Sequence, residues 1–159
     1  MLSILIPTYN YNTLLLVKTL QQQAIESKVV FEILVLDDAS TDKQCSTENK
    51  KINALDHCSY LENEKNIGRT ATRNILAKKA KYDWLLFLDA DVMLTNHNLL
   101  SDIFKKLETN KIQLLTTPFK TAKRWDWVFR IFDIFQWLSV KINTPFAIGG
   151  FQLWDRQAY

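Results

Sequence analysis

Glycine and proline are scarce, with three of each in 159 residues. That scarcity, beside 47% hydrophobic and 12% aromatic residues, excludes a disordered or low-complexity chain. The length suits one domain with a sizeable core. The glycine-rich dinucleotide fingerprint and the phosphate loop are both missing, which removes ordinary Rossmann cofactor binding and ATPase chemistry. Cysteine is equally thin. Cys45 and Cys58 have no metal-ligand spacing, and His57 beside Cys58 reads as incidental, so a reduced cytoplasmic setting is expected rather than a disulfide framework. No uncharged apolar run reaches about 18 residues, so no spanning helix is expected. Met1 leads straight into an apolar stretch with no basic region before it, and no cleavable leader is expected. Charge is nearly balanced at 20 basic against 17 acidic residues, and the formal +3 gives no reason to expect a nucleic-acid partner.

What is present centres on Trp84-Leu85-Leu86-Phe87-Leu88-Asp89-Ala90-Asp91-Val92. A continuous apolar run of that kind reads as a strand buried on both faces of a parallel sheet. Asp89 and Asp91 then fall at the strand's carboxyl end, where open α/β sheets bind ligands. Two neighbouring carboxylates repel each other and are costly to bury unpaired. A divalent cation, Mn²⁺ or Mg²⁺, shared with a phosphate-bearing ligand would compensate both, since such sites use only one or two protein carboxylates. For an isolated Asp-any-Asp, caps and solvated turns would be the simpler account; the matching stretches elsewhere reverse that.

Taken in order, Leu2–Ile6 is a short strand expected to close at Pro7, which cannot continue a central ladder. A helix is expected from about Thr13 to Ala24 with Asn12 as its N-cap. Phe31–Leu36 is a second strand, residues 43–56 are polar and partly helical, and Ser59–Leu61 is a short third strand. Asn66-Ile67-Gly68 opens a helix running to about Ala80. Thr95 or Asn96 caps another, whose Leu99, Leu100, Ile103, Phe104 and Leu107 form a stripe at helical spacing. Ile112–Thr116 is a fifth strand. Alternating strands and helices predict an α/β fold: a Rossmann-like, mostly parallel sheet covered on both faces. Residues 1–122 are read as this nucleotide-binding domain and 123–159 as a separate aromatic and acceptor-side segment. In the latter, Asp126, Arg130, Asp133 and Lys141 leave a wide arc containing Trp125, Trp127, Phe129, Phe132, Phe135 and Trp137. Such a helix either lies in a membrane interface, with contact through 125–138, or is covered by protein outside this chain.

Three loops, Pro7–Asn10, Asp37–Asp42 and Asp89–Asp91, each follow a strand, so a parallel sheet gathers them at one edge. The helix opening at Asn66-Ile67-Gly68-Arg69 adds free N–H groups and positive charge, with Arg73 one turn on, as a phosphate would need. Singly, Asn10, Asp42 and Gly68 read as caps and turns, and Arg73 as a surface ion pair; jointly they point to a nucleotide with a metal-bound diphosphate.

The segments Ile6-Pro7-Thr8-Tyr9-Asn10, Leu36-Asp37-Asp38-Ala39-Ser40-Thr41-Asp42, Asn66-Ile67-Gly68 with Thr72-Arg73-Asn74, and Phe87-Leu88-Asp89-Ala90-Asp91 resemble the ordered motifs of family 2 glycosyltransferases. Gly149–Arg156 resembles the glycine-led strand that follows them in that family. The resemblance covers essentially the whole chain and implies a GT-A fold and inverting transfer of a sugar from a nucleotide-sugar. It implies Pro7, Tyr9 and Asn10 at the base, Asp37 and Asp38 reaching base and ribose, and Gly68 and Arg73 beside the nucleotide. Asp89 would approach the ribose and Asp91, with Asp89, the metal. The expected partners are a nucleotide-sugar donor, a UDP-sugar first, and a glycan or lipid-linked acceptor. The expected location is the cytoplasm, at the inner face of the membrane if the aromatic segment docks there.

In the family the catalytic base lies in an acidic motif beyond the glycine-led strand. The sequence reaches Tyr159 without one, so the expectation is a chain truncated at its C-terminus or unable to complete transfer, with Asp155 the one substitute base within it. A nucleotide-binding module without catalysis is the main alternative. A receiver-type signalling domain would carry its acidic pair after the first strand, whereas here the pair follows the second.

Overall fold

The structure is a computed structural model that describes residues 1–109, 114–116, 151–157 and 159. Leu2–Thr8 (β1), Phe31–Asp37 (β2), Cys58–Glu62 (β3), Trp84–Leu88 (β4), Leu114–Thr116 (β5) and Phe151–Asp155 (β6) form one sheet in the order β3-β2-β1-β4-β6-β5. The first four strands run parallel, and β6 runs antiparallel between β4 and β5. Helices Leu14–Glu26 (α1), Lys43–Lys50 (α2), Arg69–Lys79 (α3) and Leu99–Thr109 (α4) complete the described elements, with a 3₁₀ turn at Lys51–Ala54. The mostly parallel α/β architecture is the expected one.

Alternation along the strands distributes their apolar side chains to both faces. Ile4, Ile6, Ile33, Val35 and Leu86 pack in one cluster with Val17 and Leu20 of α1 and Leu100 and Ile103 of α4. Leu5, Leu34, Leu36, Leu85 and Phe87 pack in another with Leu76 and Ala77 of α3. Every residue of β1 and β2 is buried, which explains their mostly apolar sequences.

Four local expectations shift. Pro7 lies within β1, opposite Leu36, rather than ending it. The ladder from β1 to β4 stops at Leu5–Phe87, so at Pro7 the strand has a neighbour on one side only, where a missing N–H is tolerated. The α1 N-cap position is Thr13, not Asn12, although the Asn12 Oδ1 still accepts the Leu14 N–H at 3.0 Å. Helix α4 starts at Leu99 rather than after Asn96. Its preceding turn is held instead by Gln23 of α1, whose carboxamide donates to the Asn96 carbonyl (3.1 Å). Finally β6, expected in a separate segment, is a strand of the same sheet. The proposed boundary at 122/123 and the aromatic stretch 123–142 lie outside the described residues. Among the described residues no helix is long and apolar enough to cross a membrane.

The strand order reverses direction between β1 and β4: the chain builds outward from β1 to β3, then returns to β1's other side with β4. In open α/β sheets that switch point leaves a crevice beyond the strand ends. Here it lies between the loop after β1 and the loop after β4.

Candidate active site

A pocket of about 370 Å³ occupies that crevice, lined among others by Tyr9, Asp38, Gly68, Arg69, Asp89 and Asp91. Residues far apart in sequence therefore meet as the motif spacing predicted. Pro7 and Thr8 bring β1 to the rim, and Asn66 and Thr72 flank Gly68. Tyr9, also in the lining, is half exposed (48%).

Asp38 organises the side of the pocket next to α3. Its Oδ1 accepts from the Asn63 side chain and the Ile67 N–H, both at 2.9 Å, and its Oδ2 accepts from the Gly68 N–H at 2.8 Å. Burial opposes its ionisation, but these bonds, with a further one from Thr72, outweigh burial and hold its carboxyl below the usual carboxylate value. The bonded N–H groups belong to the turn that starts α3. Gly68 has φ +86°, a left-handed conformation that side chains rarely adopt, and a Cβ there would meet nothing within 4 Å. Its requirement is therefore conformational rather than steric.

Asp37, which the resemblance places at base and ribose, is not among the residues lining this pocket. It is 1% exposed, with Oδ1 accepting from the Ser40 N–H (2.8 Å) and hydroxyl (2.6 Å) and Oδ2 from the Tyr60 hydroxyl (2.6 Å). The Tyr60 hydroxyl is pushed far up by burial and by Asp37, so it stays a donor. Asp37 lines a separate cavity of about 510 Å³ beyond the ends of β2 and β3, with Lys43, Lys50 and Glu62. It is a brace for the loop that carries Asp38.

Asn10 is likewise a brace rather than part of the pocket lining. With φ +52° it turns the chain after β1, and its Oδ1 accepts the Thr41 and Asp42 N–H groups at 2.8 and 2.9 Å. Its own N–H donates to Ser40 Oγ (2.7 Å). The loops after β1 and β2 are thereby stitched together, while Asp42 caps α2 through the Gln44 and Cys45 N–H groups.

Arg73 does not line the pocket either; it lies behind it. Its guanidinium sits 4.4 Å from the Phe87 ring centroid, donates to Gln152 Oε1 at 2.7 Å and lies 3.9 Å from Asp89. Burial and then the neighbouring Arg69 lower its pKa, with Asp89 opposing the shift. The residue that does reach Asp89 is Arg69, whose Nη2 donates to Oδ1 and Oδ2 at 2.6 Å each. Arg69, expected from the sequence to add positive charge for a phosphate at the opening of this helix, is thus paired with a carboxylate. It stands in the first turn of α3, where the macrodipole disfavours positive charge.

Asp91 lines the pocket, and no described residue makes a hydrogen bond or ion pair with its carboxylate. Among the described residues no cluster of three or more His, Cys, Asp or Glu forms a self-sufficient metal cage. Two pocket carboxylates match instead a Mg²⁺- or Mn²⁺-type site completed by ligand phosphates. The residues fit the ion on that condition.

Asp155 lies at the opposite end of the strands from Asp89. Because β6 is antiparallel, Asp155 pairs with Trp84 at the start of β4, whereas Phe151 pairs with Leu88 beside Asp89. Four residue steps of strand, roughly 13 Å, separate the two ends. The end of β6 that meets the site instead brings Phe151 and Gln152.

The chain matches the model of glycosyl transferase family 2 over residues 3–159. It is 32% identical over 139 residues to an uncharacterized glycosyltransferase of Haemophilus influenzae, covering 76% of this chain and 54% of the relative. The chain thus spans about half the length of that relative. A solved structure of TarS from Staphylococcus aureus with UDP is 30% identical, with a TM-score of 0.63 over 77% of this chain and 36% of that one. The same protein was also solved with UDP-GlcNAc. A Pyrobaculum calidifontis mannosyltransferase, solved with GDP-Man and Mn²⁺, shares the fold at TM-score 0.67 and 18% identity, over 98% of this chain and 44% of that one. Motif order, switch-point pocket and these likenesses agree, and the chain belongs to glycosyl transferase family 2.

Proposed function

We propose that the chain forms the donor side of an inverting glycosyltransferase that moves a sugar from a UDP-sugar to a hydroxyl acceptor. The observation that carries this is the convergence of Tyr9, Asp38, Gly68, Asp89 and Asp91 on one switch-point pocket. UDP is preferred to GDP because the 30% identical relative was solved with UDP, while the GDP-Man complex is related at the level of fold.

In this reading the exposed face of Tyr9 stacks on the base. Asp38, fixed as a carboxylate by its N–H donors, accepts from a base or ribose donor group. Asp89 accepts from the ribose hydroxyls, and the N–H groups at the start of α3 face the phosphates. Asp91, with Asp89 close by, would hold a divalent ion, which when bound acts as a Lewis acid on the departing diphosphate. These carboxylates are committed to the donor. The base that removes the acceptor's proton is therefore expected outside the described residues, and glycan or lipid-linked acceptors remain the expected class.

Thermal unfolding with UDP or GDP, in Mn²⁺ or in EDTA, tests the reading. A ligand at a hundred times its Kd stabilises the native state by about 2.7 kcal/mol. UDP with Mn²⁺ is expected to raise Tm, EDTA to remove most of the rise, and Asp91→Asn to remove the EDTA-sensitive part without lowering the ligand-free Tm. Equal shifts with and without EDTA would refute the metal-linked donor site.

A further inference from the structure

Arg69 is the cation among the described residues lining a pocket that also contains Asp38, Asp89 and Asp91. Its Nη2 alone donates to both oxygens of Asp89 at 2.6 Å, and that carboxylate is the group a ribose would need. The two guanidinium groups near Asp89 are held very differently. The Arg73 side chain is 11% exposed and anchored to Phe87 and Gln152, whereas that of Arg69 is 59% exposed, with Asp89 the partner the structure gives it. Arg69 also begins α3, where the helix N-terminus repels a cation and favours an anion. Arg73, 3.9 Å from Asp89, stays beside that carboxylate when Arg69 leaves it.

We propose that Arg69 is a removable counter-ion: it caps Asp89 while the pocket is empty and transfers to the donor's diphosphate when ribose hydroxyls take its place on Asp89. The inference rests on the donor reading above and adds a selectivity to it. A ligand that carries ribose but no diphosphate must break the Arg69–Asp89 pair without giving Arg69 a new partner. A nucleoside diphosphate supplies both halves of the exchange. The pair thus discriminates against nucleosides and monophosphates, and the discrimination resides in a residue that contacts neither the base nor the sugar.

NMR titration of uridine, UMP and UDP at fixed Mg²⁺, into the unaltered chain and its Arg69→Gln and Arg69→Lys variants, reads this directly; guanosine ligands run in parallel. An exposed ion pair is modest, so Arg69→Gln is expected to tighten uridine about three- to fivefold by freeing Asp89. Loss of a charge-assisted contact to phosphate is expected to weaken UDP about tenfold or more in the same variant. Arg69→Lys keeps the charge on a single donor nitrogen, as Nη2 is here, and is expected to hold UDP within about threefold of the unaltered chain. A merely structural role would move both ligands the same way. Parallel shifts for uridine and UDP, or none in either, overturn the exchange. An unaltered chain that binds no nucleoside diphosphate overturns the donor reading and this inference with it, a result distinct from the first.

Discussion

Replacing Asp38 by Asn changes one atom and should cost more than its size suggests. The carboxylate accepts three N–H groups, two on Oδ1 and one on Oδ2, and each bond is made to a charged acceptor. An asparagine can keep an oxygen toward Asn63 and Ile67, but its NH₂ then faces the Gly68 N–H, donor against donor. Hydrogen bonds to charged groups contribute about 1.5–3 kcal/mol each, so losing one outright and the charge from the other two is expected to destabilise by about 2–3 kcal/mol. In a chain of this size that lowers Tm by roughly 4–12 °C. The sign with pH follows from the lowered carboxyl pKa. Between the folded and unfolded values the unfolded chain binds the extra proton, so the stabilisation is full above the unfolded value and fades as pH falls through the folded one. Urea unfolding of both chains from pH 7 downward is the assay. The gap in stability should be constant near neutrality and shrink below about pH 4, where the unfolded carboxyl takes up its proton. A gap that is absent at pH 7, or that stays unchanged into the acid range, would refute the account of Asp38 as an ionised anchor of the turn before α3.

Two further outcomes are expected. Asp155→Asn should leave transfer by an active chain containing this sequence within about twofold, against the 10²–10⁴-fold loss that removing a general base brings; product formation at saturating donor decides it. Residues 125–138, if they form the interfacial helix their aromatic arc predicts, should carry the chain to the top of a gradient with anionic vesicles, and a chain that stays at the bottom with the free protein would favour a covering protein surface instead.

The sheet was legible because burial leaves a strong trace. β1, β2 and β4 are buried along nearly their whole length, so their sequences admit few polar residues, and the polar loops between them stand out by contrast. Topology then carries the loops to one edge whatever their detailed conformation. Which carboxylate faces the pocket is a different matter. Asp37 and Asp38 are neighbours with the same side chain, and only the three-dimensional placement of Tyr60 and Ser40 on one side, and of Ile67 and Gly68 on the other, separates a brace from a pocket wall. Asn10 shows the same limit. An asparagine at φ +52° that bonds two N–H groups across a loop looks, in sequence, the same as one that bonds a ligand.

Strand direction explains the placement of Asp155. A five-residue strand reads equally well in either sense, since apolar alternation has no polarity along the chain. Had β6 run parallel to β4, Asp155 would have followed it to the same edge as Asp89 and made a reasonable base. Running antiparallel, it delivers Phe151 and Gln152 there and sends its carboxylate to the far side. That reversal has a consequence for the site as well. Gln152 is the partner that, with Phe87, fixes Arg73 behind Asp89. One arginine is therefore held by a strand from the end of the sequence, while the other, Arg69, is held by Asp89 itself. A strand whose direction the sequence does not reveal thus helps separate the arginine that stays from the arginine free to exchange.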